Sequence, residues 1–265
     1  MGCFRLASLE GCYLCQIVSF SDEICELMRK HLTSVCHGSS RCKLPLSHYR
    51  YTQTLDELII RIEQKDQNGQ KGIIGELLAH VIIRHCLPQF RVISPLFNSE
   101  DRGHRKGFDL VLSSNDGKDI WLTEVKSGDV EFDPDPSNKM NILLKRAKTS
   151  LSHQLNDYQR SLWINAINGA QAAIQSSSDE VEAITSLIDN MQIDAQQGSF
   201  SDKDANALLT AVLYAPVESR VSIEGLKTNR DEIEGSFKNV FALGIQKQTY
   251  TTVLNFLKQE RDSNE

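Results

Sequence analysis

Two apolar runs joined by a short turn constrain this chain more than any other feature. They are KGFDLVLS (106–113) and DIWLTEVK (119–126), and Ser114-Asn115-Asp116-Gly117 follows directly on the first. Strand-forming residues on either side of an Asp-Gly step predict a β-hairpin. Side chains alternate across a strand, so Glu124 and Lys126 are expected on one face and Val125 on the other. In the preceding strand Phe108, Leu110 and Leu112 are expected to share a face, with Asp109 opposite. Two carboxylates and a lysine thus project from otherwise apolar strands, and burying them unpartnered would cost several kcal/mol or more. A divalent cation shared by the acids would remove that cost. The preceding helix supplies a further acid, Glu76, with His80 one turn along the same face. An ordinary salt-bridge cluster at a sheet edge is the alternative reading of the same residues.

The rest of the chain arranges helices around that hairpin. TLDELIIRIEQ reads as a short amphipathic helix with Thr54 as its N-cap, followed by a polar turn, QKDQNGQKG. GIIGELLAHVIIRHCL is apolar on most sides and stops before Pro88, as a buried helix would. FRVISPLF (90–97) is expected as a third strand. Residues 139–175 read as one long helix or two, 178–193 as another, 206–216 as a buried strand and YTTVLNFLKQE as a final helix. This order implies an α/β protein with a mixed central sheet flanked by helices. The expected division is a Cys-rich, partly helical N-terminal appendage over residues 1–54 and a main domain over 55–265. Within the appendage, DEICELMRKHL is an amphipathic helix with Ile24, Leu27, Met28 and Leu32 on one face.

Charge and cysteine usage exclude several classes. Residues 176–265 carry 8 basic and 15 acidic groups, net −7, whereas residues 51–175 are nearly neutral at 15 and 16. Such a chain does not coat nucleic acid by bulk charge, although a local basic groove remains open to the middle segment. No apolar run approaches the ~18 residues of a membrane span, and Glu10 interrupts the apolar stretch that an export signal would need. A cytoplasmic protein with no membrane partner is expected. Six of the seven cysteines fall in the first 42 residues. An odd count without an export signal implies reduced thiols, and the irregular spacing of Cys12, Cys15, Cys36, His37 and Cys42 does not favour structural zinc.

The spacing Asp109, fourteen residues, then Glu124-Val125-Lys126, preceded by a helix bearing Glu76, resembles the PD-(D/E)xK nuclease superfamily, with Phe108 where the motif's name has proline. Gln154 and Tyr158, four apart on an expected helix, fit the Gln-xxx-Tyr pattern of the RecB-like branch. The wording Gly75-Glu76-Leu77-Leu78, Lys106-Gly107-Phe108-Asp109 and Trp121-Leu122-x-Glu124-x-Lys126 is most similar to the nuclease subunit (HamA-like) of the Hachiman anti-phage defence system. Here Thr123 stands where that family has glycine, and Ser127-Gly128 where it has aromatic residues. The likeness covers roughly residues 70–215.

This resemblance implies a restriction-endonuclease-like core and a magnesium-dependent deoxyribonuclease, with manganese as the alternative ion and a helicase as partner. On it, Asp109, Glu124 and the carbonyl of Val125 hold the metal, Glu76 completes the site, and Lys126 orients or deprotonates the attacking water. Two basic clusters flank the hairpin: Arg102, His104, Arg105 and Lys106 before it, and Lys139, Lys145, Arg146 and Lys148 after it. Arg105, Lys106, Lys145, Arg146, Lys148, Gln154 and Tyr158 are the candidate DNA contacts. Other readings stay open: a catalytically silent DNA-binding or regulatory scaffold of the same fold, or a restriction- or repair-type nuclease with another partner.

Overall fold

The structure is a computed structural model that describes residues 4–97, 107–130, 135–175, 177–219 and 221–263. Its strands are β1 (Phe4–Leu9), β2 (Cys12–Ile17), β3 (Phe90–Val92), β4 (Leu110–Ser114), β5 (Ile120–Asp129), β6 (Asn206–Tyr214) and β7 (Asn239–Lys247). They form one mixed sheet in the order β1-β2-β7-β6-β5-β4-β3. The β2–β7, β7–β6 and β6–β5 pairs are parallel, and the β1–β2, β5–β4 and β4–β3 pairs are antiparallel. Parallel strands covered on both faces need continuous apolar runs, and β6 (NALLTAVLY) is buried along its whole length.

Helices cover both faces. One core joins the sheet to α1 (Asp22–His37), α2 (Tyr51–Glu63), α3 (Gln67–Cys86) and α8 (Thr251–Asp262). The other joins it to α4 (Pro136–Asn156), α5 (Arg160–Ala173), α6 (Ser178–Gln196) and α7 (Ile223–Ile233). Local chemistry sets the helix ends nearest the hairpin. The Asp66 carboxylate accepts from Gly69 N at 2.8 Å and starts α3, while Asp135 accepts from Ser137 N at 2.9 Å with Pro136 in the first turn of α4. Among the described residues no helix is long and apolar enough to cross a membrane.

The mixed sheet flanked by helices is the architecture the sequence implies, but several boundaries differ. Residues 1–54 do not stand apart as an appendage. β2 hydrogen-bonds in parallel to β7, and Cys15, Ile17, Ile24, Met28 and Leu32 enter the same core as α3. Thr54 is not an N-cap: Arg50 precedes the helix, and Thr54 lies buried inside it with its hydroxyl donating to the Arg50 carbonyl at 2.9 Å. The expected polar turn before α3 shrinks because the helix already begins at Gln67.

The strand expected over 90–97 ends at Val92. Ser94 leaves the ladder and uses its hydroxyl to accept from Val111 N at 2.8 Å, and Pro95, which follows, has no N–H to donate. β7 and α7 both lie in a stretch where no element is expected from the sequence.

One close approach fixes α3 on the sheet. A Cβ on Gly75 would lie 2.9 Å from Ser127 Cβ, so only glycine lets the helix sit this near β5. Lys71, one turn earlier and buried, pairs with Asp129 at the end of β5, and Tyr214 donates to the Lys71 carbonyl at 2.9 Å. The helix is therefore pinned along the last three residues of the strand that carries Glu124 and Lys126.

Candidate active site

The hairpin forms as expected, with Leu110 opposite Thr123 and Ser113 opposite Ile120. The alternation of apolar faces holds in β5. Ile120 and Leu122 join the α4 core, while Trp121 and Val125 join the α3 core. Glu124 and Lys126 consequently share the α4 face. The first strand departs from expectation at its start. Asp109 sits at a bend before β4, and this turn of the backbone puts Phe108 in the α4 core with Val111, away from Leu110 and Leu112.

That bend gives Asp109 its position. β4–β5 pairing begins at Leu110–Thr123, so Val125 lies two residues beyond the last strand partner. The Asp109 carboxylate takes the place of the missing strand: its Oδ2 accepts from Val125 N at 2.8 Å. The N–H and C=O of one strand residue leave on the same side, so the Val125 carbonyl also faces the Asp109 edge.

Glu124 is 2% exposed and held by three donors. Lys126 Nζ and Ser150 Oγ (2.7 Å) reach Oε1, and Gln154 Nε2 reaches Oε2 at 3.3 Å. A buried carboxylate that kept its charge without such partners would cost several kcal/mol. Ser150 and Gln154 lie one turn apart on α4, so both can face β5 at once. Ser150 is absent from the sequence-derived site because a lone serine within a helix carries no pattern; its i, i+4 spacing to Gln154 is the signal that could have found it. Gln154, a candidate DNA contact, lines the cleft and at the same time engages Glu124 on the lysine-bearing strand.

Lys126 opens onto a cleft of about 580 Å³ lined chiefly by α4, with Lys145, Arg146, Thr149 and His153 on its wall. Arg146 is exposed there, and Lys145 also reaches Glu232 of α7 at 2.9 Å. Lys148 is half-buried and does not line the cleft. Tyr158 does not share a helical face with Gln154, because α4 ends at Asn156 and Asp157 is extended; Tyr158 packs against the α4–α5 core instead. Arg102, His104, Arg105 and Lys106 lie outside the described residues.

Glu76 is half-buried on α3, the helix covering the face of β5 opposite Glu124. Among the described residues no three of His, Cys, Asp and Glu gather as a metal site, so Glu76, Asp109 and Glu124 do not form the three-acid group expected. His80 is fully buried in α3 and its pKa is held well below 6.5, first by burial and then by the Arg84 charge. A neutral, buried ring there is no part of the hairpin site. The donors that remain are Asp109, Glu124 and a strand carbonyl, all oxygen. They suit magnesium, which is held by one or two carboxylates while water and substrate phosphates complete its shell.

The HamA family model matches residues 7–256, nearly the whole chain, including the N-terminal strands. No curated protein matches it.

Proposed function

The chain belongs to the HamA family, and with it to the Hachiman anti-phage defence system; from that premise we propose that it is a magnesium-dependent nuclease cutting DNA in the cytoplasm beside a helicase partner. The observation that carries the reading is the corner where β4 gives out. There Asp109, at the bend before β4, and Glu124, on β5, meet across the Val125 peptide, and Lys126, paired with Glu124, opens onto a basic cleft.

In this reading Asp109, Glu124 and the Val125 carbonyl hold the ion. Magnesium, when bound, makes water a nucleophile at neutral pH and offsets negative charge at phosphorus. The protein's own part is orientation. Ser150 and Gln154 keep Glu124 in one rotamer, so its carboxylate is fixed before substrate arrives. Lys126 turns from its carboxylate partner toward the scissile phosphate, positions the attacking water and stabilises the charge that develops in the transition state. Arg146 and Lys145 seat flanking phosphates without reading bases. Asp109 keeps the Val125 peptide in place by accepting its N–H.

The test is incubation of the purified chain, alone and with its helicase partner, with plasmid and linear DNA. Magnesium, manganese and a chelator are compared, beside Glu124→Ala and Lys126→Ala. Metal-dependent cleavage lost in both variants supports the reading. Metal-independent cleavage, or cleavage that survives Lys126→Ala, sinks it. DNA binding with no cutting under any metal, even with the partner present, would reassign the chain as a silent scaffold.

A further inference from the structure

Away from the hairpin, the α1–α3 seam holds a guanidinium that meets no counter-charge among the described residues. Arg84 is half-buried near the end of α3, and its Nε and Nη2 are buried and meet no acceptor among the described residues. Those two nitrogens form the side-on edge of the guanidinium, the fork that takes two oxygens of one oxyanion in parallel. One turn earlier His80 is 0% exposed, and both its ring nitrogens are likewise unpartnered among the described residues. The Arg84 charge reaches His80, His31 of α1 and the Cys42 thiol in the turn after α1. Among the described residues, Cys42 is the acidic group acting on Arg84 and no carboxylate takes part. Burial lowers Arg84 to about 10, so it is still a cation at neutral pH.

Buried donors in folded proteins are satisfied, and a group left over points to a water or an ion. A buried guanidinium without a partner is costlier still. We propose that Arg84 and His80 form an oxyanion site that takes a phosphate group, free or carried on a nucleoside. Arg84 supplies a two-pronged grip and neutral His80 one further N–H. Three donors suit a tetrahedral oxyanion better than a carboxylate, which the Arg fork alone would satisfy. Arg84, His31 and Cys42 are partly exposed, so the ligand would enter past them.

The test uses the full chain at constant ionic strength, with chloride as the control anion. Inorganic phosphate and a nucleoside monophosphate are titrated separately, and binding is read by phosphorus NMR line broadening and by Tm. Wild-type Tm is expected to rise by about 5 °C at a hundredfold excess over the dissociation constant. A response to inorganic phosphate assigns the free oxyanion; a response to the mononucleotide alone assigns a phosphate carried on a nucleoside.

Arg84→Met should lose the response and, in chloride, melt above wild type because an unpaired buried charge is gone. Should that variant fail to fold, Arg84→Lys keeps the charge without the fork and should lose most of the line broadening. No broadening of either probe by wild type at millimolar concentration, or an undiminished response in Arg84→Met or Arg84→Lys, overturns the proposal.

Discussion

On the α4 side of the sheet, Glu124 is 2% exposed and accepts from Lys126, Ser150 and Gln154, whereas on the α3 side His80 and Arg84 keep buried nitrogens with no acceptor among the described residues. Both layers bury polar groups against one seven-stranded sheet, and both are dominated by aliphatic side chains. They differ at these named groups, although the Gln154 Oε1 and the Ser152 and Tyr158 hydroxyls on the α4 side are also buried without a partner among the described residues. Around Glu124 the α4 layer supplies the donors from within the fold, which fixes the carboxylate in one geometry, as chemistry requires. The α3 layer leaves donors over, so it gives up stability unless something outside the chain supplies the acceptor. Burial of charge therefore has two meanings in one molecule.

The sharpest way to break the comparison is at the satisfied side. Lys126→Ala should lower single-turnover DNA cleavage by about 10³-fold with a small loss of Tm, because Ser150 and Gln154 still hold Glu124. An equal loss of Tm would mean that the lysine serves the fold more than the reaction. Next in size, Gln154→Leu should cost roughly 10- to 100-fold in kcat with KM nearly unchanged, since it removes only a group that orients Glu124. A change confined to KM would return Gln154 to a DNA contact.

Gly75→Val tests how closely the two layers grip β5. The new side chain would begin 2.9 Å from Ser127 Cβ, and a loss of about 2 kcal/mol is expected in chemical denaturation. An unchanged midpoint would show that α3 can retreat from the strand without penalty.

The smallest effect concerns acid. In the fold His37 is held near 4, mainly by burial, with the His48 and Arg61 charges adding, against its ordinary 6.5. The unfolded chain thus takes up the proton first. Stability contributed by neutral His37 is present above pH 6.5 and falls as pH drops from 6.5 toward 4. His37→Gln should flatten part of that fall. His80, lowered in the same direction, leaves the remainder to the α1–α3 layer. A pH dependence unmoved by the substitution would place acid sensitivity elsewhere.

What was readable in advance divides along physical lines. The hairpin was legible because its alternation, its Asp-Gly turn and its charges in apolar strands all point one way. The N-terminal strands were not. β1 (FRLASL) is a mostly exposed edge, and β2 (CYLCQI) borrows its apolar character from cysteines that equally suit a metal or a loop. β7 was missed because NVFALGIQK breaks its run with a glycine and a glutamine, yet nearly all of it is buried by neighbours that no local window contains.

Within the site, Asp109, Glu124 and Lys126 stood out as charges against apolar surroundings. Ser150 did not, because a hydroxyl in a helix is unremarked until a carboxylate 26 positions earlier is seen beside it. Tyr158 is expected on a helix face that ends two residues too soon, since nothing in Asn156-Asp157 announces the extended turn in advance.

The parallel pairing of β2 with β7 also sets an order in time. Cys12 lies beside Ala242, and Ile17 beside Lys247. During translation the first strands must therefore wait for almost the last to emerge. Until Asn239–Lys247 has left the ribosome, β2 and β6 each present an open edge, and the strand bearing Glu124 and Lys126 belongs to an unfinished sheet. For a chain proposed to cut DNA, that wait is a delay between synthesis and competence.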